Sequence, residues 1–304
     1  MVNIDRILCA VDFSEFSLDA LRHAVVLADW YSAQLRLFHA EPLPQTMLGG
    51  GVPESVPVIP VEFDPAETTE EIRKFCAPVL GESGVEAEIV VRAGDAAREI
   101  RAEAEGWPAD LLIMGTHGRT GFERLFLGSV TEKVLRSTRV PVLTIPPPVR
   151  EPGSPLFKTI LCPMDFSEAS LRALEYALSL AQEADARLIL LHVIEHVLGE
   201  AGARALGHLN VAEYYRHLEE DAITRLKAVV PDDARVWARP DERVVRGVAY
   251  DEILKVAAGE GVELVVMGVQ GRGALSQFVF GSTTHRVIRE ARCPVLTLHG
   301  GPSR

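Results

Sequence analysis

No run in this chain stays apolar for the roughly twenty residues that a membrane-spanning helix needs, and no dense block of lysine and arginine appears anywhere in it. Acidic residues outnumber basic ones, 43 against 31, for a formal net charge of -12. Such a surface repels phosphate backbones and anionic lipid, so neither nucleic acid nor a membrane is an expected partner. Cysteine is scarce: Cys9, Cys76, Cys162 and Cys293 are far apart, with no C-x-x-C pair and no His/Cys group at zinc-ligand spacing. That excludes a disulfide framework and a sequence-local zinc site, leaving free buried thiols in a reducing cytosol. The opening segment carries Asp5 and Arg6 where a secretory leader would need an uninterrupted apolar run, and a cytoplasmic location is the expectation.

Phosphoryl-transfer signatures are missing too. The segment Gly115 to Gly121 lacks the lysine of a G-x-x-x-x-G-K-[ST] loop, and no kinase motif set is present. No catalytic residue is expected on these grounds. His192 and His196 have a spacing that binds metal on a helix, but the segment reads as the end of a strand, so no metal site is expected there.

What the 304 residues do contain is a duplication. Asp12 and Asp165, Met114 and Met267, Gly128 and Gly281, and Pro141 and Pro294 are all separated by 153 positions. The strings around them agree as well: ILCAVDFSE from Ile7 faces ILCPMDFSE from Ile160, and PVLTI faces PVLTL. A constant offset with matching strings is an internal repeat. Between the copies, Pro146-Pro147-Pro148 and Pro152-Gly153-Ser154-Pro155 can continue neither a helix nor a central strand. The expected division is domain 1 at 1–146, linker at 147–155 and domain 2 at 156–304.

Each copy alternates strand and helix. Arg6 to Val11 and Thr159 to Met164 are short apolar strands, followed by amphipathic segments that Ser14 or Ser17, and Ser167 or Ser170, can cap. Leu18, Leu21, Val25 and Ala28 match Leu171, Leu174, Leu178 and Ala181 as a core-facing helical stripe. Further strands are read at Gln34 to His39, Glu86 to Val91, Leu111 to Met114 and Val140 to Ile145. Their counterparts are Arg187 to Val193, Arg235 to Arg239, Leu264 to Met267 and Pro294 to Leu298. Helices are read at Ala96 to Glu105, Tyr250 to Ala258 and Val211 to Val230. The pattern predicts an α/β fold: two tandem doubly wound domains, each a five-stranded, mostly parallel sheet with helices on both faces. The copies diverge at Pro42 to Pro65, a stretch with six prolines and Gly49-Gly50-Gly51. It reads either as a lid or as an unstructured loop, and the two copies need not do the same job.

The segment that bears on chemistry is Met114-Gly115-Thr116-His117-Gly118, then nine residues, then Gly128-Ser129. The second copy has Met267-Gly268-Val269-Gln270-Gly271, nine residues, then Gly281-Ser282. Glycine lets backbone approach an anion closely, and a helix start offers unpaired N–H groups and the positive end of the helix dipole. A competing reading makes Ser129 and Glu132 a capping box that satisfies the helix start internally. Because His117 is replaced by Gln270 in the other copy, a chemistry common to both cannot require an imidazole. His39 and His192 recur at the end of the second strand and read as hydrogen-bonded structural histidines.

The duplicated G-x-x-G-x9-G-S signature, the early VDFS and MDFS segments and the closing PVLT strands resemble the universal stress protein family, once per half of the chain. Pro42 to Pro65 and Glu195 to Asn210 fit that resemblance least. It implies the sheet order 3-2-1-4-5, with the ligand crevice at the topological switch point beside the first and fourth strands. It also implies ATP as the ligand, with Mg2+ where phosphoryl transfer occurs. In the first half Asp12 would bind the adenosine, Ala40 would pack near the base, and Met114, Gly115, Gly118, Gly128, Ser129 and Val130 would line the ribose and phosphates. In the second half the same places fall to Asp165, Val193, Met267, Gly268, Gly271, Gly281, Ser282 and Thr283. Arg119 and Arg272 pair with phosphate or are solvated surface arginines; Asp12 and Asp165 read equally as helix caps. The resemblance further implies an adenine nucleotide as partner, pairing of Val140 to Ile145 with Pro294 to Leu298 in an intramolecular pseudo-dimer, and a homodimer of chains.

The function so implied is a regulatory or stress-adaptive ATP-binding protein with little or slow hydrolysis or self-phosphorylation. Two others compete: an interaction scaffold with vestigial pockets, and an enzyme such as an adenylating ATP pyrophosphatase or an electron-transfer flavoprotein. The intact signature in both copies speaks against the scaffold. VDFSEFS in place of an S-G-G-x-D-S loop speaks against the pyrophosphatase.

Overall fold

The computed structural model describes residues 2–42, 63–118, 127–147, 157–195, 211–269 and 281–300. The chain divides into two compact units, one chiefly Asn3–Val140 and the other chiefly Pro141–Val149 with Ser154–Arg304. The first unit runs β1 (Arg6–Ala10), α1 (Glu15–Tyr31), β2 (Gln34–Glu41), α2 (Pro65–Ser83), β3 (Ala87–Ala93), α3 (Ala96–Gly106), β4 (Leu111–Gly115) and α4 (Ser129–Ser137). Its strands lie in the order β3-β2-β1-β4, all parallel. The second unit opens with β5 (Val142–Ile145) and β6 (Thr159–Pro163), then α5 (Glu168–Ala184), β7 (Arg187–Ile194), α6 (Val211–Val229) and α7 (Asp232–Ala238). It closes with β8 (Asp241–Arg246), α8 (Ala249–Gly259), β9 (Leu264–Gly268), α9 (Ser282–Glu290) and β10 (Val295–Leu298). Its order is β5-β10-β9-β6-β7-β8.

Parallel strands covered on both faces must be apolar almost continuously, and these are. Ile7, Leu8 and Cys9, Leu111 to Ile113, Ile160 to Cys162, Leu188 to Leu191 and Leu264 to Val266 are all buried. The antiparallel pair in the second unit is β5 with β10, in the register Val295↔Thr144, Leu296↔Leu143 and Thr297↔Val142. Two buried threonines reinforce it reciprocally: Thr144 Oγ1 donates to the Val295 carbonyl at 3.1 Å and Thr297 Oγ1 to the Val142 carbonyl at 3.2 Å.

Helix starts follow local chemistry. Of the paired serines, Ser14 and Ser167 are the N-caps, accepting from the amides of Ser17 and Ser170. The stripe of α1 and α5 is buried at Leu21, Val25, Ala28, Leu174, Leu178 and Ala181, but Leu171 lies 40% exposed. Strand ends differ from the sequence reading by one or two residues, where fraying and turn geometry decide.

One element is corrected outright. The stretch Arg235 to Arg239, read as a strand from its Val236 and Trp237, lies in helix α7 and its αL C-cap. Asp232 and Asp233 in its first turn suit the positive end of the helix dipole, and Ala234 and Ala238, four apart, are buried while Val236 and Trp237 are exposed. The strand follows at Asp241–Arg246, where the 153-residue offset from β3 places it. Most of the divergent stretches Pro42 to Pro65 and Glu195 to Asn210, and nearly all of the linker, lie outside the described residues.

All four cysteines are free and buried. Burial holds their thiols protonated, up to about 12 for Cys76 and Cys293 against 9.0 for an exposed thiol, and raises Cys9 and Cys162 as well. Ellman's reagent should therefore find no fast-reacting thiol in the native protein at pH 8 and four after denaturation. Because the folded state holds these protons more tightly than the unfolded chain, stability should also fall as pH rises above about 9.

Candidate functional site

In both copies the chain leaves the first strand through an aspartate and a phenylalanine that takes a backbone conformation bulky residues avoid. Phe13 has φ 61° and Phe166 φ 62°. The preceding carboxylate builds the turn. Asp12 Oδ1 accepts from the Ser14 amide at 3.1 Å and its hydroxyl at 2.5 Å; Asp165 Oδ1 accepts from the Ser167 amide at 2.9 Å and its hydroxyl at 2.6 Å. With its proton committed to the carboxylate, each serine hydroxyl presents a lone pair to the helix start, 3.2 Å from the Ser17 amide and 3.3 Å from the Ser170 amide. The helix caps are thus the serines, and the aspartates orient them.

The left-handed turn aims each phenylalanine ring at the histidine ending the second strand. Phe13 meets His39 at 5.0 Å between centroids and Phe166 meets His192 at 4.9 Å. Each histidine donates from Nδ1, at 2.7 Å, to the carbonyl just beyond the first strand: His39 to Val11, His192 to Met164. This agrees with a structural role for both.

The glycine that precedes the last helix of each copy is tied to the end of the fourth strand. The Gly281 amide donates to the Val269 carbonyl at 3.0 Å, and Thr284 Oγ1 to the Gly268 carbonyl at 2.9 Å. In the first unit the Gly128 amide donates to Thr116 at 2.8 Å, and Thr131 Oγ1 to Gly115 at 2.9 Å. These approaches leave no room for a side chain. A Cβ at Gly281 would come within 2.8 Å of the Val269 oxygen, one at Gly268 within 2.8 Å of Ala169, and one at Gly128 within 3.0 Å of the Thr116 oxygen. At Gly118 a Cβ would sit 2.7 Å from Asp12 Oδ2, so the second glycine of the loop faces the turn aspartate across open backbone.

Gly128 and Gly281 are N-caps, and neither helix start has a side-chain cap. Ser129 and Ser282 are the first helical residues, so the capping box read for Ser129 and Glu132 does not form; Glu132 instead accepts from Arg136 at 3.0 Å. His117 lies buried beside the loop with Nδ1 2.9 Å from Thr116 Oγ1, and among the described residues its Nε2 meets no partner.

In the second unit these pieces line a cleft of about 710 Å³, within the range of small-molecule sites. It gathers Asp165, Val193, Met267, Gly268, Gly281, Ser282 and Thr283, which are all the second-copy candidates that lie among the described residues. In the first unit Asp12 and Gly118 face each other, and Gly115 and Gly128 join that cluster through Thr131 and Thr116. Met114 is buried at the end of β4, Ser129 and Val130 open α4, and Ala40 pairs with Arg92 on β3. Arg119, Gly271 and Arg272 lie outside the described residues. Sequence reasoning missed Phe166 and the α6 residues Leu218, Asp221, Ala222 and Arg225, which line the same cleft. Recurrence of Asp-Phe-Ser marked the phenylalanine; nothing in α6, which has no close counterpart string, marked its side chains.

Ser167→Ala removes the cap while leaving Asp165. It should cost about 1 kcal/mol, read as a lower urea midpoint at unchanged slope.

Residues 3–146 and again 156–299 match the universal stress protein family. A universal stress protein of Methanocaldococcus jannaschii is 31% identical over 148 residues, 48% of this chain and 84% of that protein. One from Thermus aquaticus is 34% identical over 141 residues, 46% of this chain and 98% of that protein. Among solved structures, a universal stress protein from Archaeoglobus fulgidus superposes with a TM-score of 0.66 and 23% identity, covering 99% of this chain and 98% of that one. With the family matched twice over nearly its whole length, this chain belongs to the universal stress protein family and carries two tandem copies of its domain.

Proposed function

We propose that each copy binds ATP in the crevice between its first and fourth strands, and that the protein acts as a regulatory or stress-adaptive nucleotide binder with little or slow hydrolysis. The observation that carries this reading is the start of α9: a glycine N-cap without a side-chain cap, in the lining of the 710 Å³ cleft that also contains Asp165. Unpaired amides at the positive end of a helix dipole suit a phosphate chain, and a carboxylate on the same cleft suits ribose hydroxyls.

In this assignment Asp165 and Val193 hold the nucleoside, while Met267, Gly268, Gly271, Arg272, Gly281, Ser282 and Thr283 surround the phosphates. Asp12 and Ala40, with Met114, Gly115, Gly118, Arg119, Gly128, Ser129 and Val130, do the same in domain 1. ATP, when bound, supplies a transferable γ-phosphoryl group. In this reading Mg2+ accompanies the triphosphate wherever phosphoryl transfer occurs. Domain limits of 1–146 and 156–304 go with this reading. The antiparallel β5–β10 register supports an intramolecular pseudo-dimer, and a homodimer of chains extends the same logic. No described helix is long and apolar enough to cross a membrane; the cytoplasm is the proposed location. A scaffold reading draws on exposed Val236 and Trp237 of α7.

An aspartate at the first position of a helix favours the helix dipole but repels phosphate. Ser129→Asp and Ser282→Asp should therefore each keep the melting temperature and lose the nucleotide of their own domain. Acid release and chromatography should give two adenine nucleotides per wild-type chain after incubation with ATP, one per single variant and none for the double. Two retained in the double variant would remove the phosphate assignment, and none in the wild type would favour the scaffold.

A further inference from the structure

The two copies build the same turn but cover its phenylalanine differently. On Phe13 lies the ring of Phe75 from α2, with centroids 5.4 Å apart. On Phe166 lies the guanidinium of Arg225 from α6, with its carbon 3.9 Å from the ring centroid. Arg225 lines the cleft of the second unit, and so does Asp221, one helical turn earlier. Neither enters a salt bridge among the described residues, in a chain where Arg187, Arg235, Arg243 and Arg246 are all paired with carboxylates. The contact holds the guanidinium over the Phe166 ring and leaves its N–H donors without a carboxylate partner among the described residues.

Sheet order decides which part of a ligand these groups meet. In β10-β9-β6-β7-β8 Gly268, Gly281 and α9 stand on the β9 side of β6, whereas α6 packs over β7 and β8 on the other side. A nucleotide whose phosphates lie at α9 therefore directs its base toward α6. Residues four apart on a helix lie about 5–6 Å apart at Cβ and reach one target together. Here they offer donors from Arg225 beside an acceptor from Asp221. The Hoogsteen edge of adenine is complementary: N7 accepts and the N6 amino group donates. Guanine presents two acceptors, N7 and O6, and would set O6 against the carboxylate.

We infer that Arg225 and Asp221 read the base in the cleft of the second copy, Arg225 donating to N7 and Asp221 accepting from the exocyclic amine, so that this cleft selects adenine over guanine by side-chain contacts. The inference rests on the nucleotide reading above. In the first copy the matching contact is the hydrocarbon ring of Phe75, which has no donor for N7.

The test uses the full chain with Ser129→Asp, so that only the second cleft binds, and titrates ATP, GTP and 7-deaza-ATP by calorimetry. With Arg225 and Asp221 present, 7-deaza-ATP and GTP should each bind at least about tenfold more weakly than ATP. Arg225→Phe, which copies the packing of Phe75, should bind ATP and 7-deaza-ATP equally. Asp221→Asn, at an exposed position, can donate to O6 and should reduce the preference for ATP over GTP by about tenfold; thermal melts confirm that both variants are folded. Undiminished discrimination in both variants overturns the inference while leaving nucleotide binding intact. No binding of any of the three nucleotides, with or without Ser129→Asp, overturns the nucleotide reading and this inference with it.

Discussion

The first strand of each repeat has a parallel neighbour on either side, and parallel strands joined by right-handed crossovers reach neighbours on opposite sides over opposite faces of a sheet. Where the two connections part, the carboxyl ends of the strands cannot be covered by a helix. Three features of each copy gather there: the Asp-Phe-Ser turn leaving β1 or β6, the histidine near the end of β2 or β7, and the glycines ending β4 or β9 and preceding α4 or α9. The fold itself opens the crevice; the side chains decide what it can hold.

Two short-range devices keep the gap open. The carboxylate of Asp12 or Asp165 accepts a hydrogen bond from the hydroxyl of the serine two residues on, which caps α1 or α5. That turn drives a phenylalanine into the left-handed region, at a cost of about 1–2 kcal/mol, and stacks its ring on the strand-ending histidine. Opposite it, one amide and one threonine hydroxyl tie the start of α4 or α9 to the end of β4 or β9. The N-cap residue is a glycine with no side chain to accept from them, so the first amides within the helix have no side-chain cap. A capping box at Ser129 would have consumed them. The helix begins at that serine, one residue too late for its side chain to serve as the cap.

The repeats are alike where backbone makes the site and unlike where side chains from the intervening helix close it. Strands β1 and β6 carry nearly the same string and the same turn, yet α2 offers a hydrocarbon ring and α6 a guanidinium beside a carboxylate. Duplication preserves what the sheet demands. The helix between the second and third strands packs on those strands and lends side chains to the cleft in the second copy, and is free to differ.

The duplication, the alternation of strand and helix, the parallel sheets and the glycine signature were legible in the chain itself, because each follows from a local pattern: a constant 153-residue offset, near-continuous apolar strands, and glycines at fixed spacing. At Arg235 to Arg239 the β-branched and aromatic residues favour a strand locally, but the two aspartates before them start a helix and the 153-residue offset places the strand at Asp241–Arg246. Tertiary structure alone decided which serine caps each helix, that the aspartates orient those serines, and that Phe13 and Phe166 take left-handed backbone. It alone also brought Asp221 and Arg225 to the cleft of the second copy. Those outcomes depend on which groups converge across strands and helices far apart in sequence, and no local pattern of residue types encodes that convergence.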